Sequence, residues 1–598
     1  MQLGTGTDEK EKRWSGGGLR AITLLGIGAT LLGALVLRLV LLQLVEGAEH
    51  REQAESNRIR LLPKAPERGE LLDRNGKVLV SSQLTYSLFL DPLQVRPRKW
   101  PAVLERLAPY TGLTAKEMYR KLNIAGFRSP YPVRLLQGLD PAFVIRMKEH
   151  GADLPGVRVD AELSRFYPHG NLASQVLGYT GEISEKELER RKDQGYKLGD
   201  IVGKMGAEQL FESQLHGQWG GQQVEVDASG QVKRVLGTIK SQKGGDVTLS
   251  LDLDMQKAAQ EGLGARMGAV VAIEPKTGEV LVMASNPNFN PNMFSHKINK
   301  KEWQDFRQLD HPFLNRGVRP YPPASTYKII MTTAALESGL FNPKSVLNTF
   351  GSLQVGSRRF GEHNHRGFGT IGFPRALAVS SDTFFYQVGL RLGPERIGAM
   401  ARKFGYGQRT SLNLQSESAG IVPSEAYKLR TFKQKWYPGD TANMAIGQGF
   451  NLSTPLQNAV MVSVIANGGY RVEPHLLKGE PPVKTSLSLK PETLAVVRNG
   501  LRQVVASGTA HGVLGTTSFA GKTGTAEDFH SHRTHAVFVG YAPYDNPEIA
   551  ICVFVEGGGH GGTDAAPVAK KIYDVYMSRK KGAQVAHPPV KTPKKVTR

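Results

Sequence analysis

Three short segments hold residues whose types and spacing suit acyl transfer. The first is Tyr321-Pro322-Pro323-Ala324-Ser325-Thr326-Tyr327-Lys328. Paired prolines cannot continue an incoming helix, but they suit entry into a new one. Downstream, Ile329, Ile330, Met331, Ala334, Ala335 and Leu336, closed by Gly339, have the pattern of a largely buried helix. Ser325 then falls in the first turn, and Lys328, one turn on, shares its face. Burial of that amine would lower its pKa, and a neutral amine can take the serine proton. Free N–H groups at the helix start can bind a developing oxyanion. The same serine–lysine spacing recurs at Ser578-Arg579-Lys580-Lys581, so spacing alone carries little weight.

The second segment is Ser380-Ser381-Asp382, followed by Thr383-Phe384-Phe385-Tyr386. Serine and aspartate are favoured helix caps, and capping is compatible with chemistry: Ser380 relays a proton while Asp382 caps or orients. The third is Gly521-Lys522-Thr523-Gly524-Thr525-Ala526. Lys522 heads a strand; its charge and the Thr523 and Thr525 hydroxyls suit a substrate carboxylate. Gly524 lets a substrate backbone approach closely. The earlier Lys276-Thr277-Gly278 precedes the serine within a hairpin turn and reads as structural. The one cysteine, Cys552, lies in the apolar run Ile549–Val555 and reads as a small core residue that can form no internal disulfide.

These residues sit on a chain of 598 residues, long enough for several domains, with 40% hydrophobic and 22% charged content, which is ordinary for a globular protein. Its 67 glycines imply many turns. The net charge of +22 suits nucleic acid, anionic lipid or an anionic polymer. The sequence has no zinc-finger spacing, RRM-like aromatic motif or P-loop, so no nucleic-acid partner is expected and a wall or membrane surface remains.

Ala21–Leu37 carries no charge, and after Arg38 the apolar run continues through Leu39–Val45. The combined length spans a bilayer, which needs about 20 residues. Lys10, Lys12, Arg13 and Arg20 precede it, which places the N-terminus in the cytoplasm and the rest outside. The segment exceeds a usual signal-peptide core and no small-x-small cleavage site follows, so it reads as a retained anchor, with Arg38 either snorkelling to the interface, the favoured reading, or facing a partner helix inside the bilayer. Ala48–Arg60 reads as a solvated helix, and Asn75-Gly76 as a hairpin turn. Helical patterns alternate with loops from Pro101 to Arg146. Strands are expected at Val224–Val235 and Asp246–Leu253, then a helix at Met255–Ala265 and a hairpin of Ala269–Ile273 with Val280–Ala284. The expected divisions are a cytoplasmic segment 1–20, an anchor 21–45, a non-catalytic pedestal 46–253, a catalytic unit 254–578 and a basic, unstructured tail 579–598.

The three motifs in this order resemble the penicilloyl-serine transferases. Over nearly the whole chain the sequence is similar to the class B penicillin-binding proteins, and within them to the elongation-type penicillin-binding protein 2 branch. Carrying this resemblance, beyond the motifs, are Arg68-Gly69 with Asp73-Arg74-Asn75-Gly76, Ile446-Gly447-Gln448-Gly449 with Thr454-Pro455-Leu456-Gln457, and Gly540-Tyr541-Ala542-Pro543. Division-type relatives usually carry asparagine where Asp382 stands. Ala324 departs from the glycine common there, a change a small residue tolerates. Some relatives hold a metal beside the second motif through a cysteine; here Ser381 occupies that stretch, and His363 and His365 read as surface histidines, so no metal or other cofactor is implied.

The resemblance implies an α+β fold: one transmembrane helix, an elongated dimerisation-like pedestal, and a transpeptidase domain with a five-stranded antiparallel sheet flanked by helices. It implies D,D-transpeptidation of stem pentapeptides through an acyl-Ser325 intermediate, with Lys328 as general base and Ser380 and Lys522 in proton transfer. Asp382, Thr523, Gly524 and Thr525 would bind substrate, and the Ser325 and Thr525 N–H groups would form the oxyanion hole. It also implies acylation by β-lactams. A membrane glycan polymerase of the shape, elongation, division and sporulation class and other elongation-complex proteins are the implied partners. The place is the inner membrane, with the catalytic domain on the periplasmic side. A septal transpeptidase is the alternative. A β-lactam sensor would need a larger cytoplasmic part, and a β-lactamase would lack the pedestal.

Overall fold

The computed structural model describes residues 15–46, 59–127, 129, 131–226, 232–515, 517–527 and 533–586. The first residues with their lysines, the stretch read as a solvated helix (apart from its last two residues) and the end of the tail lie outside the described residues. Helix Ser15–Val40 runs into a π-helical turn, Leu41–Val45. Among the described residues it contains the one helix long and apolar enough to cross a membrane, Arg20–Val45. Arg38 reaches Glu46 at its end, 3.6 Å away.

The pedestal is built on the long strand Val78–Leu90, which pairs antiparallel with Val133–Leu139 on one side and Val157–Phe166 on the other. The expected turn precedes it. Asp73 accepts the Asn75 and Lys77 amides at 2.8 Å each, and Gly76 takes the left-handed φ of 80° that the reversal needs. Helices Trp100–Thr111 and Ala115–Ala125 cover the sheet through Trp100, Leu104 and Met118. The strand Val133–Leu139 falls within the stretch read as helices and loops. Its Leu135 and Leu136 are both buried, and its pairing with a strand some fifty residues earlier decides its form over local periodicity. The expected strand Val224–Val235 is two, Gly220–Val226 and Val232–Ile239, paired with each other, and the first of them pairs also with Ile59–Lys64. Only Val247–Thr248 of the next expected strand is one, because Asp252 caps the helix Leu253–Leu263 by accepting the Asp254 and Met255 amides.

Where pedestal segments converge, a buried ion network forms. Arg68 reaches Glu208 and Glu212 at 2.7 Å each, and Arg165 reaches Glu208 at 2.6 Å. Arg165 also donates to the Gly69 carbonyl at 2.7 Å, and a Cβ at Gly69 would collide with the Gly245 carbonyl.

The catalytic unit centres on a five-stranded antiparallel sheet, in the order Val280–Asn286, Gly268–Ile273, Ile549–Val555, Thr534–Ala542, Ala520–Glu527. Strands from the two ends of the unit meet in its middle. One face packs against helices Leu253–Leu263 and Ala566–Ala586 through residues such as Leu263, Val568 and Ile572. Helices Lys328–Glu337, Phe373–Val379 and the wholly buried Pro455–Ala466 pack in the core on the other side. Cys552 is fully buried in its strand, and burial pushes its thiol well up. The last helix runs to Ala586, past residue 578 where the sequence pattern placed the end of the unit. Arg579 pairs with Asp252 and Asp254, and Lys580 with Glu548 at 2.5 Å. The Ser578-Arg579-Lys580-Lys581 run is therefore part of a structural helix.

Candidate active site

Ser325 lies half-buried in a 3₁₀ turn, Ala324–Tyr327, that leads directly into the helix Lys328–Glu337. The turn is held from outside. Tyr321 and Ser453 exchange backbone hydrogen bonds at 2.9 and 2.8 Å, and the Ala324 amide donates to the Gly447 carbonyl at 3.0 Å. Gly447 has φ 71°, and a Cβ there would collide with the Ala324 carbonyl. Ala324 itself has φ 50°, in the left-handed region that glycine favours.

The second motif joins two helices, Phe373–Val379 and Asp382–Leu392. Ser380 sits between them with φ 58°. The cap of the second helix is Ser381, whose hydroxyl accepts the Phe384 amide at 3.3 Å, while Asp382 turns to the lysine. Lys328 Nζ donates to Asp382 Oδ1 at 2.6 Å, to the Ser380 carbonyl at 2.7 Å and to Ser380 Oγ at 3.3 Å. Lys522 Nζ donates to the same Ser380 Oγ at 2.8 Å and to the Thr523 carbonyl at 2.9 Å. Both lysines are fully buried. Burial, and then the Lys328 charge, push Lys522 well below the ordinary lysine value against the pull of Asp382. Lys328 has a carboxylate partner, whereas among the described residues Lys522 bonds neutral oxygens.

The third motif lies on Ala520–Glu527, an edge strand of the sheet. An edge leaves backbone groups open to an added peptide strand. A Cβ at Gly524 would stand 3.3 Å from Ala324 Cβ and from Thr326 Cγ2, so the strand passes close beside the serine turn. Thr523 Oγ1 shares a 2.6 Å hydrogen bond with Thr509 Oγ1, and Thr525 is half-buried. The structure thus brings Ser325, Lys328, Ser380, Asp382, Lys522, Thr523, Gly524 and Thr525 to one cleft between turn and strand. Lys276-Thr277-Gly278 forms the turn of the first hairpin, with Lys276 on Asn546 at 3.3 Å.

One residue at the cleft escaped sequence reasoning. Glu362 is 1% exposed. Its Oε2 accepts from Ser381 Oγ at 2.6 Å, the Thr383 hydroxyl at 2.9 Å and the Thr383 amide at 3.0 Å. Its Oε1 accepts from the Asp382 amide at 2.8 Å, and His363 Nδ1 lies 3.0 Å away. Burial alone would raise this carboxyl, but the bonds from His363, Ser381, Asp382 and Thr383 hold it at about 2. Its only sequence signal was an acid beside histidines on a polar stretch. His363 and His365 are exposed. Glu362, His363 and Asp382 each bring a potential ligand atom within 4.8 Å of the others. Protein donors already occupy both Glu362 oxygens and Asp382 Oδ1, so this set is a poor fit to a cation.

Residues 268–574 match the penicillin binding protein transpeptidase domain, and residues 63–249 the penicillin-binding protein dimerisation domain. The peptidoglycan D,D-transpeptidase MrdA of Acinetobacter baumannii is 35% identical, over 93% of this chain and 87% of its own. Among solved structures, the penicillin-binding protein PBP2 of Helicobacter pylori, in complex with MreC, superposes with a TM-score of 0.78 at 28% identity, covering 88% of this chain and 100% of that one. A chain of an assembly described as the structural coordination of polymerization and crosslinking by a peptidoglycan synthase complex gives 0.69 at 31% identity, over 94% and 98%. With its apolar N-terminal helix, the chain is a single-pass protein of the inner membrane. It belongs to the class B penicillin-binding proteins, as a serine-type transpeptidase of the elongation branch that includes MrdA.

Proposed function

We propose that this enzyme cross-links peptidoglycan by acylating Ser325 with a stem pentapeptide. The observation that carries the reading is Ser380 Oγ, which links Lys328 and Lys522 beside the serine turn. Lys328 has the Asp382 carboxylate, the nearby Lys522 lacks one and is held low by burial, and this hydroxyl is the route by which a proton moves between them. A donor peptide lies along the edge strand Ala520–Glu527, its terminal carboxylate against Lys522, Thr523 and Thr525. That negative charge favours the ammonium form of Lys522. A proton passes from Lys328 through Ser380 to Lys522, and Lys328 becomes the neutral base.

Ser325 Oγ then bonds to the penultimate D-Ala carbonyl carbon and gives its proton to Lys328. The Ser325 and Thr525 N–H groups stabilise the oxyanion. As the C–N bond breaks, Lys328 returns the proton to the departing D-Ala amine, with Ser380 assisting. An amine of a neighbouring stem attacks the acyl-enzyme, loses its proton by the same route and releases Ser325. A β-lactam follows the first half alone.

The catalytic unit faces the periplasm, since four cationic residues precede the anchor and positive flanks stay in the cytoplasm. A membrane glycan polymerase is the proposed partner, reached through anchor and pedestal, together with elongation-complex proteins such as MreC. The pairing seen for the H. pylori relative supports the latter. Ser325→Ala abolishes covalent labelling by a fluorescent penicillin, and wild-type label persists without rapid turnover. Label on the alanine variant would remove the nucleophile assignment, and fast release would favour a hydrolase. Depletion in the source organism produces rounded cells; filaments would indicate a septal role.

A further inference from the structure

Glu362 belongs to neither the Ser325 turn nor the Lys522 strand. It follows the short strand Arg358–Gly361 and reaches the second motif from outside. Among the described residues no lysine or arginine pairs with it; hydroxyls, amides and one imidazole satisfy it. Such a carboxylate is costly to bury and is held by the donors it collects. Three of those donor residues are consecutive, Ser381, Asp382 and Thr383, at the start of the helix Asp382–Leu392. The residue before them, Ser380, is in a left-handed conformation that L side chains resist and that surrounding contacts must enforce. On its other side Ser380 is held by the end of the helix Phe373–Val379, with its amide on the Leu377 carbonyl at 3.2 Å.

We propose that Glu362 is the positioning residue of the second motif. Its carboxylate locks Ser381, Asp382 and Thr383, and thereby holds Asp382 on Lys328 and Ser380 between the two lysines. Glu362 touches no substrate. It acts through the Asp382 amide, 2.8 Å from Oε1, on a side chain whose Oδ1 is 2.6 Å from Lys328 Nζ. Glutamine at this position keeps the shape but sets an amide donor against one or more of these donors. The helix start then shifts, and the proton path through Ser380 lengthens.

This inference rests on the proposed roles of Ser325 and Lys328, which Ser325→Ala tests separately. The decisive experiment measures the acylation step and the preceding binding constant for a fluorescent penicillin on the full-length protein. Glu362→Gln, Asp382→Asn and the double variant are compared, with melting temperatures recorded. Glu362→Gln slows acylation by about tenfold to 100-fold, the range expected of a small misplacement of reacting groups. Binding changes far less than the acylation step. The double variant is no slower than the slower single variant, because Glu362 works through Asp382. Wild-type acylation in Glu362→Gln, or losses that multiply in the double variant, would overturn the proposal. If Glu362→Gln does not fold, Thr383→Val and Thr383→Ser replace it. Valine deletes a donor to the carboxylate and slows acylation, serine restores the donor and the rate, and equal behaviour of the two overturns the idea.

Discussion

Among the described residues Lys522 makes two hydrogen bonds, to Ser380 and Thr523, and pairs with no carboxylate, in a fully buried place. Its folded pKa is depressed by burial and then by the Lys328 charge. In the unfolded chain the same amine holds a proton up to about pH 10.4. Between those two values the unfolded state binds the extra proton, so stability rises with pH across that window. The lysine is therefore a site of stored instability at neutral pH. Lys522→Met raises the unfolding free energy at neutral pH by about 1 kcal/mol, flattens the rise toward alkaline pH, and abolishes acylation. Denaturant titrations at neutral and alkaline pH, beside penicillin labelling, check this; a destabilised variant would refute it.

At the scale of elements, the two segments that carry the serines both contain a left-handed residue, Ala324 and Ser380. A left-handed residue other than glycine costs roughly 1–2 kcal/mol, and glycine gives part of that back in unfolded-state entropy. Ala324→Gly is accordingly expected to stabilise the protein by up to about 1 kcal/mol, read as a higher melting temperature, with acylation retained. The sequence shows only that a small residue stands where glycine is common; the φ that explains the preference is set by Gly447 packing on the turn. The same boundary between local and distant information runs through the whole site. The helix after Ser325 and the strand after Lys522 were legible, because periodicity and apolar runs are local signals. The partner of Lys328 was not, since Asp382 arrives from a separate helix pair. Glu362 was not, since nothing local distinguishes a buried acid from a surface one. The strand Val133–Leu139 was missed for the same reason: its neighbours in the sheet define it.

For the molecule as a whole, one apolar core runs from Leu71, Val80 and Tyr167 of the pedestal into the catalytic unit, and each unit adds stabilisation of its own. The catalytic unit has extensive apolar cores on both faces of its sheet. The pedestal relies in part on the buried Arg68–Glu208–Arg165 network, in which burial works against the charges and the ion pairs outweigh it, holding Glu208 low. Removing one member of a buried network leaves charge unpaired and costs about 3–5 kcal/mol. Glu208→Ala thus lowers the pedestal's melting temperature, while penicillin labelling of Ser325 below that temperature proceeds at the wild-type rate. Differential scanning calorimetry with parallel labelling separates the two units, and equal loss of both would show that they unfold as one.

The last helix offers a different consequence. Arg579 ties the end of the catalytic unit to Asp252 and Asp254, where that unit starts, and helix Ala566–Ala586 packs along Leu253–Leu263. Adjacent ends make a closed loop of chain, the arrangement that tolerates new termini. The catalytic unit is thus suited to circular permutation: its natural ends joined by a short linker, and the chain reopened at an exposed turn such as Gly468, outside the three motifs.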